Sequence, residues 1–349
     1  MLAFIISLLA LSFLLVIHEA GHFYFARRLG VRVEEFGLGY PPRLLGKKIK
    51  GVIYSLNAIP FGAFVKIDEG KEENPQPGTF AAQTLAHKNI ILLGGVAMNF
   101  LVAFFILTIL FNQGMPASFL PSNFTSSISH RLTIRELEKN TPAMNLLKKK
   151  DVILGITFEG KHYSSPDLQQ FQKIVQESQG GPVQLLLKRE GEEQIVDIHP
   201  QFDSQLKKYM IGVGLSDQAL VRYSWYQAPG QALRYMAVSL KELGGIFKHI
   251  KEVSGPVGIM VIAVRGFEFG WRYWIFIMGI ISYNLVILNL IPFPALDGGR
   301  MLFLFLEKLR GKRISSRTEE LINNIGFYIL VVILLLVTVK DVNVFFFKR

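Results

Sequence analysis

The chain has 349 residues, 50% of them hydrophobic, a formal net charge of +11 and no cysteine, with a mean hydropathy of +0.33. So apolar a composition excludes an ordinary soluble protein, and the lack of thiols excludes disulfides and thiolate metal sites, leaving N and O ligands for any metal. The positive charge does not read as a nucleic-acid surface, because its clusters flank apolar blocks, as topology determinants and lipid-headgroup contacts do.

Residues 1–27 form the first apolar block, long enough to cross a bilayer, which needs about 20 residues. The block has no basic leading region and no small-residue cleavage site, so it reads as a transmembrane helix, not a signal peptide. Inside it stands His18-Glu19-Ala20-Gly21-His22. On a helix His18 and His22 share one face. Two imidazoles so spaced can bind one zinc, and Glu19 beside them can take a proton from a water on that metal. In a soluble protein such a match can arise by chance. At membrane depth three polar side chains need partners, and ionisable groups there default to function.

Residues 28–87 read as a β-loop and linker on the cytoplasmic side. Short strands from Val31 to Ile67 are broken by Gly37, Gly39, Pro41 and Pro42. Non-helical backbone at membrane depth survives only against protein or a water-filled cavity, so a small sheet dipping toward the metal is expected. The two glycines are not a dinucleotide loop, because no helix opens there. Residues 88–111 are the second transmembrane helix. Its Gly94, Gly95 and Ala97 allow close helix approach, and Asn99 is expected to bond a neighbouring helix, whether as glue or in the chemistry.

Residues 128–202 have the composition of one globular α+β domain, with strands near 132–134, 151–156, 183–188 and 194–198. One short helix starts after Pro142, and another opens at Ser165-Pro166-Asp167-Leu168 and runs to about Ser178. The order resembles a PDZ domain of the bacterial protease-associated type. Lys150, before Asp151, stands where that family usually has glycine. Such a domain recognises, gates or spaces. Residues 225–258 are an amphipathic or linker segment, with helical periodicity over 229–255.

Residues 271–297 are the third transmembrane helix and its exit, from Asn284 through Asn289-Leu290-Ile291-Pro292-Phe293-Pro294-Ala295-Leu296-Asp297-Gly298-Gly299. A catalytic zinc keeps three protein ligands and one open position, and Asp297 is the best third ligand. Pro292 and Pro294 stop the helix, and Gly298-Gly299 is expected to turn the chain just beyond the carboxylate. Asn284 and Asn289 can donate amide hydrogens to a substrate backbone or an oxyanion. A basic loop, 298–320, and a fourth transmembrane helix, 321–340, complete the chain. Arg27 to Lys50 and the cluster Lys308, Arg310, Lys312, Arg313 and Arg317 fall on one side of four spans. By the positive-inside rule that side is cytoplasmic, with both termini and the globular domain outside.

Taken together, His18 to His22, Gly95-Val96-Ala97-Met98-Asn99-Phe100, Ser254-Gly255-Pro256-Val257-Gly258 and the Asn289 to Gly299 motif resemble the site-2 protease family of intramembrane zinc metalloproteases. Four spans with a single PDZ-like insert are similar to its bacterial regulator-of-sigma-E protease branch. Phe61-Gly62-Ala63-Phe64-Val65-Lys66 resembles that branch's membrane-dipping β-loop, in which Phe61, Gly62 and Val65 would present an edge strand to substrate. The resemblance implies an α-helical membrane protein of about four transmembrane helices, with a membrane-dipping β-loop and an inserted extracytoplasmic α+β PDZ-like domain. It implies a zinc metalloendopeptidase of the bacterial inner membrane, with zinc on His18, His22 and Asp297 and Glu19 as catalytic base. Its partners would be the lipid bilayer and membrane-anchored substrates, either anti-sigma-factor-like proteins or remnant signal peptides, cut in regulated intramembrane proteolysis. A non-catalytic membrane-anchored PDZ scaffold is the alternative, and intact His18, Glu19, His22 and Asp297 speak against it. A metal transporter fits less well, since one ligand cluster is not an ion pathway.

Overall fold

Twenty-seven residues, Leu2–Arg28, form α1. Its buried residues, Ser7, Leu11, Leu14, His18, Gly21, His22 and Ala26, recur every three or four positions and make one stripe. Leu2, Phe4, Ile5, Leu9 and Phe13 are exposed, which suits a helix with lipid on its remaining faces. The structure, a computed structural model, describes residues 1–70, 74–117, 120–121, 124, 128–138, 141–204, 206–243, 254–312 and 314–347. Among these residues four helices are long and apolar enough to cross a membrane: Leu2–Arg28, Leu85–Gln113, Trp271–Leu290 and Arg317–Phe345. The chain divides into two compact units, one of Met1–Ile109 with Pro229–Arg349, the other of Leu110–Ala228.

In the first unit, β1 (Val33–Ile49) and β2 (Val52–Ile67) follow α1. The expected run of short strands is two long ones, because the glycines are absorbed as bulges and shifts of register rather than as breaks. Val33 to Leu38 is matched with Ala63 to Ile67 on one side and, through Glu35 to Leu38, with Ile53 to Leu56 on the other. Buried Glu35 locks the fold-back: it accepts from the Ser55 hydroxyl at 2.5 Å and pairs with Arg43. Burial pushes its carboxyl up, but these donors outweigh burial and hold it below the usual carboxylate range. Ala26, Val31, Val33, Val52, Phe80, Ile91, Leu92 and Leu304 then form one buried cluster. That cluster fixes the β-loop beside α1 and α2 (Leu85–Gln113).

The second unit is the α+β domain. Its elements are β3 (Met115–Pro116), β4 (Ile128–Leu137), α3 (Ala143–Leu146), β5 (Val152–Phe158), β6 (Lys161–Ser164), α4 (Leu168–Glu177), β7 (Val183–Arg189), β8 (Glu192–Ile198), β9 (Gln201–Asp203), β10 (Lys208–Met210) and β11 (Val213–Val221). The main sheet runs β3-β11-β4-β5-β7-β8, with β6 on β5, while β9 and β10 pair separately. Strands and two helices follow in the order expected of a PDZ-like insert. Leu132, Ile134, Ile153, Ile156, Leu185 and Leu187 from the strands pack with Phe171 and Ile174 of α4. Asp167 caps α4, accepting from the Gln170 amide at 2.6 Å, so Pro166 lies just ahead of the helix. Lys150 takes a φ of 75°, the left-handed conformation for which glycine is suited.

Asp151, just after that turn, is buried and gripped by Arg189 through two bonds of 2.9 and 2.6 Å and by the Lys148 amide at 2.8 Å. Burial raises its carboxyl, and the Arg189 and Lys148 donors more than reverse this, holding it below the ordinary carboxylate range. A depressed folded pKa gives stability that is complete above the unfolded value, about 3.9, and is lost as pH falls below it. Arg189→Ala should therefore destabilise the domain by roughly 3–5 kcal/mol at pH 7. It should also flatten the stability loss below about pH 4. Hydrogen-exchange protection of the β5 and β7 amides in the full chain, followed against pH, checks both. Equal acid sensitivity in wild type and variant would sink the assignment.

The first unit resumes with α5 (Ala228–Leu243), α6 (Pro256–Glu268), α7 (Trp271–Leu290), α8 (Asp297–Arg310) and α9 (Ser316–Val342). The amphipathic stretch expected over 229–255 is helical to Leu243; 244–253 and Arg313 lie outside the described residues. Buried Asp341 on α9 accepts from the Gly255 and Gly258 amides, both at 2.8 Å, and so secures the start of α6. The exit from α7 differs from expectation. The chain turns over Ile291 to Leu296, before the carboxylate, and Asp297 opens α8. Gly298 and Gly299 lie in the first turn of α8, where side chains would strike the carbonyls of Ile291 and Phe293.

Candidate active site

α1 and α2 touch backbone to backbone. A Cβ placed on Gly21 would strike the Gly94 carbonyl, so only glycines permit this crossing. The next residue, Gly95, faces the two imidazoles: a Cβ there would lie 2.5 Å from His22 Nε2 and 2.7 Å from His18 Cε1. His22 Nδ1 is 2.8 Å from the Ile91 carbonyl of α2. A carbonyl only accepts, so Nδ1 carries the proton and Nε2 turns a lone pair into the site.

Three atoms converge there. His22 Nε2 is 3.2 Å from His18 Nε2, and Asp297 Oδ2 is 3.3 Å from His18 Nε2 and 3.4 Å from His22 Nε2. Ligands held tetrahedrally at ~2.0–2.1 Å from a zinc have neighbouring atoms about 3.3–3.4 Å apart. The observed edges of 3.2, 3.3 and 3.4 Å lie close to that spacing. Asp297 Oδ2 is buried and makes no hydrogen bond, so a cation suits the point where the three meet. The all-N/O donor set is one zinc accepts.

Glu19 lies beside the triangle, and its Oε2 accepts from the Val65 amide of β2 at 3.1 Å. Val65 N–H faces away from the β1 side of the sheet, so the outer edge of Ala63 to Ile67 reaches the cluster. A cavity of about 260 Å³ is lined by His18, Glu19, His22, Val65, Asn289 and Asp297 among others. Those six sequence candidates are brought together. Asn284 is exposed one and a half turns back along α7 and does not line this cavity. Phe61 and Gly62 lie farther along β2, with Phe61 exposed and Gly62 packed on Tyr40 and Leu15.

Sequence reasoning did not single out Arg300 and Glu69, which line the same cavity and form an ion pair of 2.7 Å. The Arg300 guanidinium also lies 5.2 Å from the centre of the Phe80 ring. A neighbouring cavity of about 510 Å³ shares Glu69, Phe80, Leu92, Ala295 and Arg300 as lining, so the ion pair stands between the two spaces. The spacing of Arg300 from Asp297, one turn of α8, was the available signal.

Residues 6–333 match the family model described as Peptidase family M50. A curated protein of Clostridium acetobutylicum named "Putative zinc metalloprotease" is 30% identical over 347 residues, covering 97% of this chain and 96% of the relative. One of the same description from Clostridium perfringens is 28% identical over 347 residues, covering 97% and 98%. The "Probable protease eep" of Enterococcus faecalis is 25% identical over 435 residues, covering 97% and 98%. Among solved structures, the PDZ domain of an SdrC-like protein from Listeria innocua aligns with 24% of this chain and 91% of its own, at 19% identity and a TM-score of 0.22.

Proposed function

The chain belongs to peptidase family M50 and is a membrane-embedded zinc metalloendopeptidase. From that premise we propose that it cuts the transmembrane segments of single-span proteins, anti-sigma-factor-like substrates or remnant signal peptides, in regulated intramembrane proteolysis. The observation that carries this reading is the triangle of His18 Nε2, His22 Nε2 and Asp297 Oδ2, with edges of 3.2–3.4 Å, formed between the membrane helix α1 and the start of α8. When bound there, zinc supplies the Lewis acid that polarises a water and the scissile carbonyl.

The residues supply the rest. Glu19 takes the proton of the attacking water and passes it to the leaving amine. The Val65 amide holds one oxygen of that carboxylate, leaving the other for the proton. Asn289, in the same cavity, donates its amide to the developing oxyanion. Asn284, Phe61 and Gly62, which do not line that cavity, are assigned to holding the substrate backbone outside it. A helical substrate hides its carbonyls in hydrogen bonds, so the segment must unwind. The edge of Ala63 to Ile67 offers a strand to pair with.

We place the protein in a bacterial inner membrane, with basic residues 27–50 and 308–317 cytoplasmic and both termini and the PDZ-like domain outside. The test is co-expression with a single-span reporter whose outer domain has been removed. A fragment ending within the reporter's transmembrane segment, by mass spectrometry, is expected. Cleavage confined to extramembrane loops would overturn the reading. Cysteines introduced at Gln172 and Lys48 check the orientation in the same cells, the first labelled by an impermeant reagent and the second protected.

A further inference from the structure

We infer that Asn99 positions His18 for the metal, its side-chain oxygen accepting the proton on the imidazole's Nδ1. The inference rests on the reading of His18 as a ligand. Asn99 is fully buried on α2. Ile91, Gly95 and Asn99 are four residues apart, so they occupy one face of that helix. Ile91 offers its carbonyl to His22, Gly95 leaves room for both rings, and Asn99 places its Nδ2 end 3.5 Å from His18 Nδ1.

The tautomer decides what Asn99 must do. For His18 Nε2 to present a lone pair toward His22 Nε2 and Asp297 Oδ2, the ring proton has to sit on Nδ1. Nδ1–H then needs an acceptor, as metal-bound imidazoles have on their far nitrogen. An Asn amide presents oxygen or nitrogen according to how its two ends are assigned. Its Oδ1 is buried and has no hydrogen-bond partner. Turned toward His18, that oxygen gains a donor and His18 gains its acceptor. The Ser282 hydroxyl, at 2.9 Å, bonds the Asn99 backbone carbonyl. That bond ties α2 to α7 without using the side chain, so joining the helices does not require the amide.

The experiment measures zinc affinity by chelator competition on the purified full chain in detergent. Asn99→Leu should weaken zinc binding by about 10–100-fold. Asn99→Asp, which keeps an acceptor of the same size, should hold zinc as tightly as wild type, and Ser282→Ala should also retain it. A leucine variant that binds zinc within twofold of wild type would overturn the inference. So would an aspartate variant that loses as much as the leucine one, because the side chain would then act only in packing. If Asn99→Leu does not accumulate, Asn99→Asp decides alone: full affinity supports the role and loss overturns it. His22→Ala separates the premise from the inference. Zinc retained in His22→Ala defeats the ligand set and the inference together, whereas zinc lost there but kept in Asn99→Leu defeats the inference only.

Discussion

Replacing Glu19 by glutamine is expected to leave one zinc per chain and to lower cleavage by about 10²–10⁴-fold or more, the usual contribution of a positioned proton acceptor. The substitution keeps the shape of the side chain. The amide oxygen can still accept from the Val65 N–H that now bonds Glu19 Oε2. What disappears is an oxygen able to take a proton. The ligand triangle does not include Glu19, so metal content should not change. His22→Ala and Asp297→Ala should behave in the opposite order, losing zinc first and cleavage with it. Elemental analysis beside a cleavage assay on the trimmed single-span reporter reads both quantities. Cleavage in Glu19→Gln within tenfold of wild type would remove Glu19 from its proposed role.

Gly95→Ala should cost the protein its metal, with zinc affinity down by about tenfold or more, although Gly95 is not a ligand. Local propensity points the other way, because alanine stabilises a helix interior by roughly 1 kcal/mol over glycine. The contact decides the sign. The new methyl would stand 2.5 Å from His22 Nε2 and 2.7 Å from His18 Cε1, well inside van der Waals distance. Moving α2 away from α1 would open the close Gly21–Gly94 contact and draw the Ile91 carbonyl off His22. Rotating the rings instead would break the same Ile91 bond that orients His22. Overpacking of this kind costs typically 1–3 kcal/mol before the metal is considered. Zinc content and chelator competition on Gly95→Ala test this, and wild-type affinity would show that the rings can accommodate the methyl.

The membrane class, the four spans and the pair of histidines with their glutamate were legible in the sequence because each is local. Hydropathy accumulates along a continuous block, and a four-residue spacing fixes which side chains share a helix face before any packing occurs. Asp297 could be nominated because the prolines before it and the glycines after it mark a helix end. The α+β order of 128–202 was legible from alternation and turn residues for the same reason. The lengths of β1 and β2 were not, because a glycine reads alike in sequence whether it breaks a strand or sits in a bulge.

Only the tertiary structure decided which faces meet. The Val65 amide reaches Glu19 across 46 residues and Arg300 reaches Glu69 across 231. The Ile91 carbonyl orients His22 across 69. Two of these partners are backbone groups, which every residue carries and no side-chain pattern marks. Gly95 appears in the sequence only as a small residue suited to helix contact, and the fold makes it the wall behind two imidazoles. Periodicity sets the face a residue occupies within its own helix. The neighbour across that face is set by how several helices and a folded-back strand pair pack at once, and no single segment contains that information.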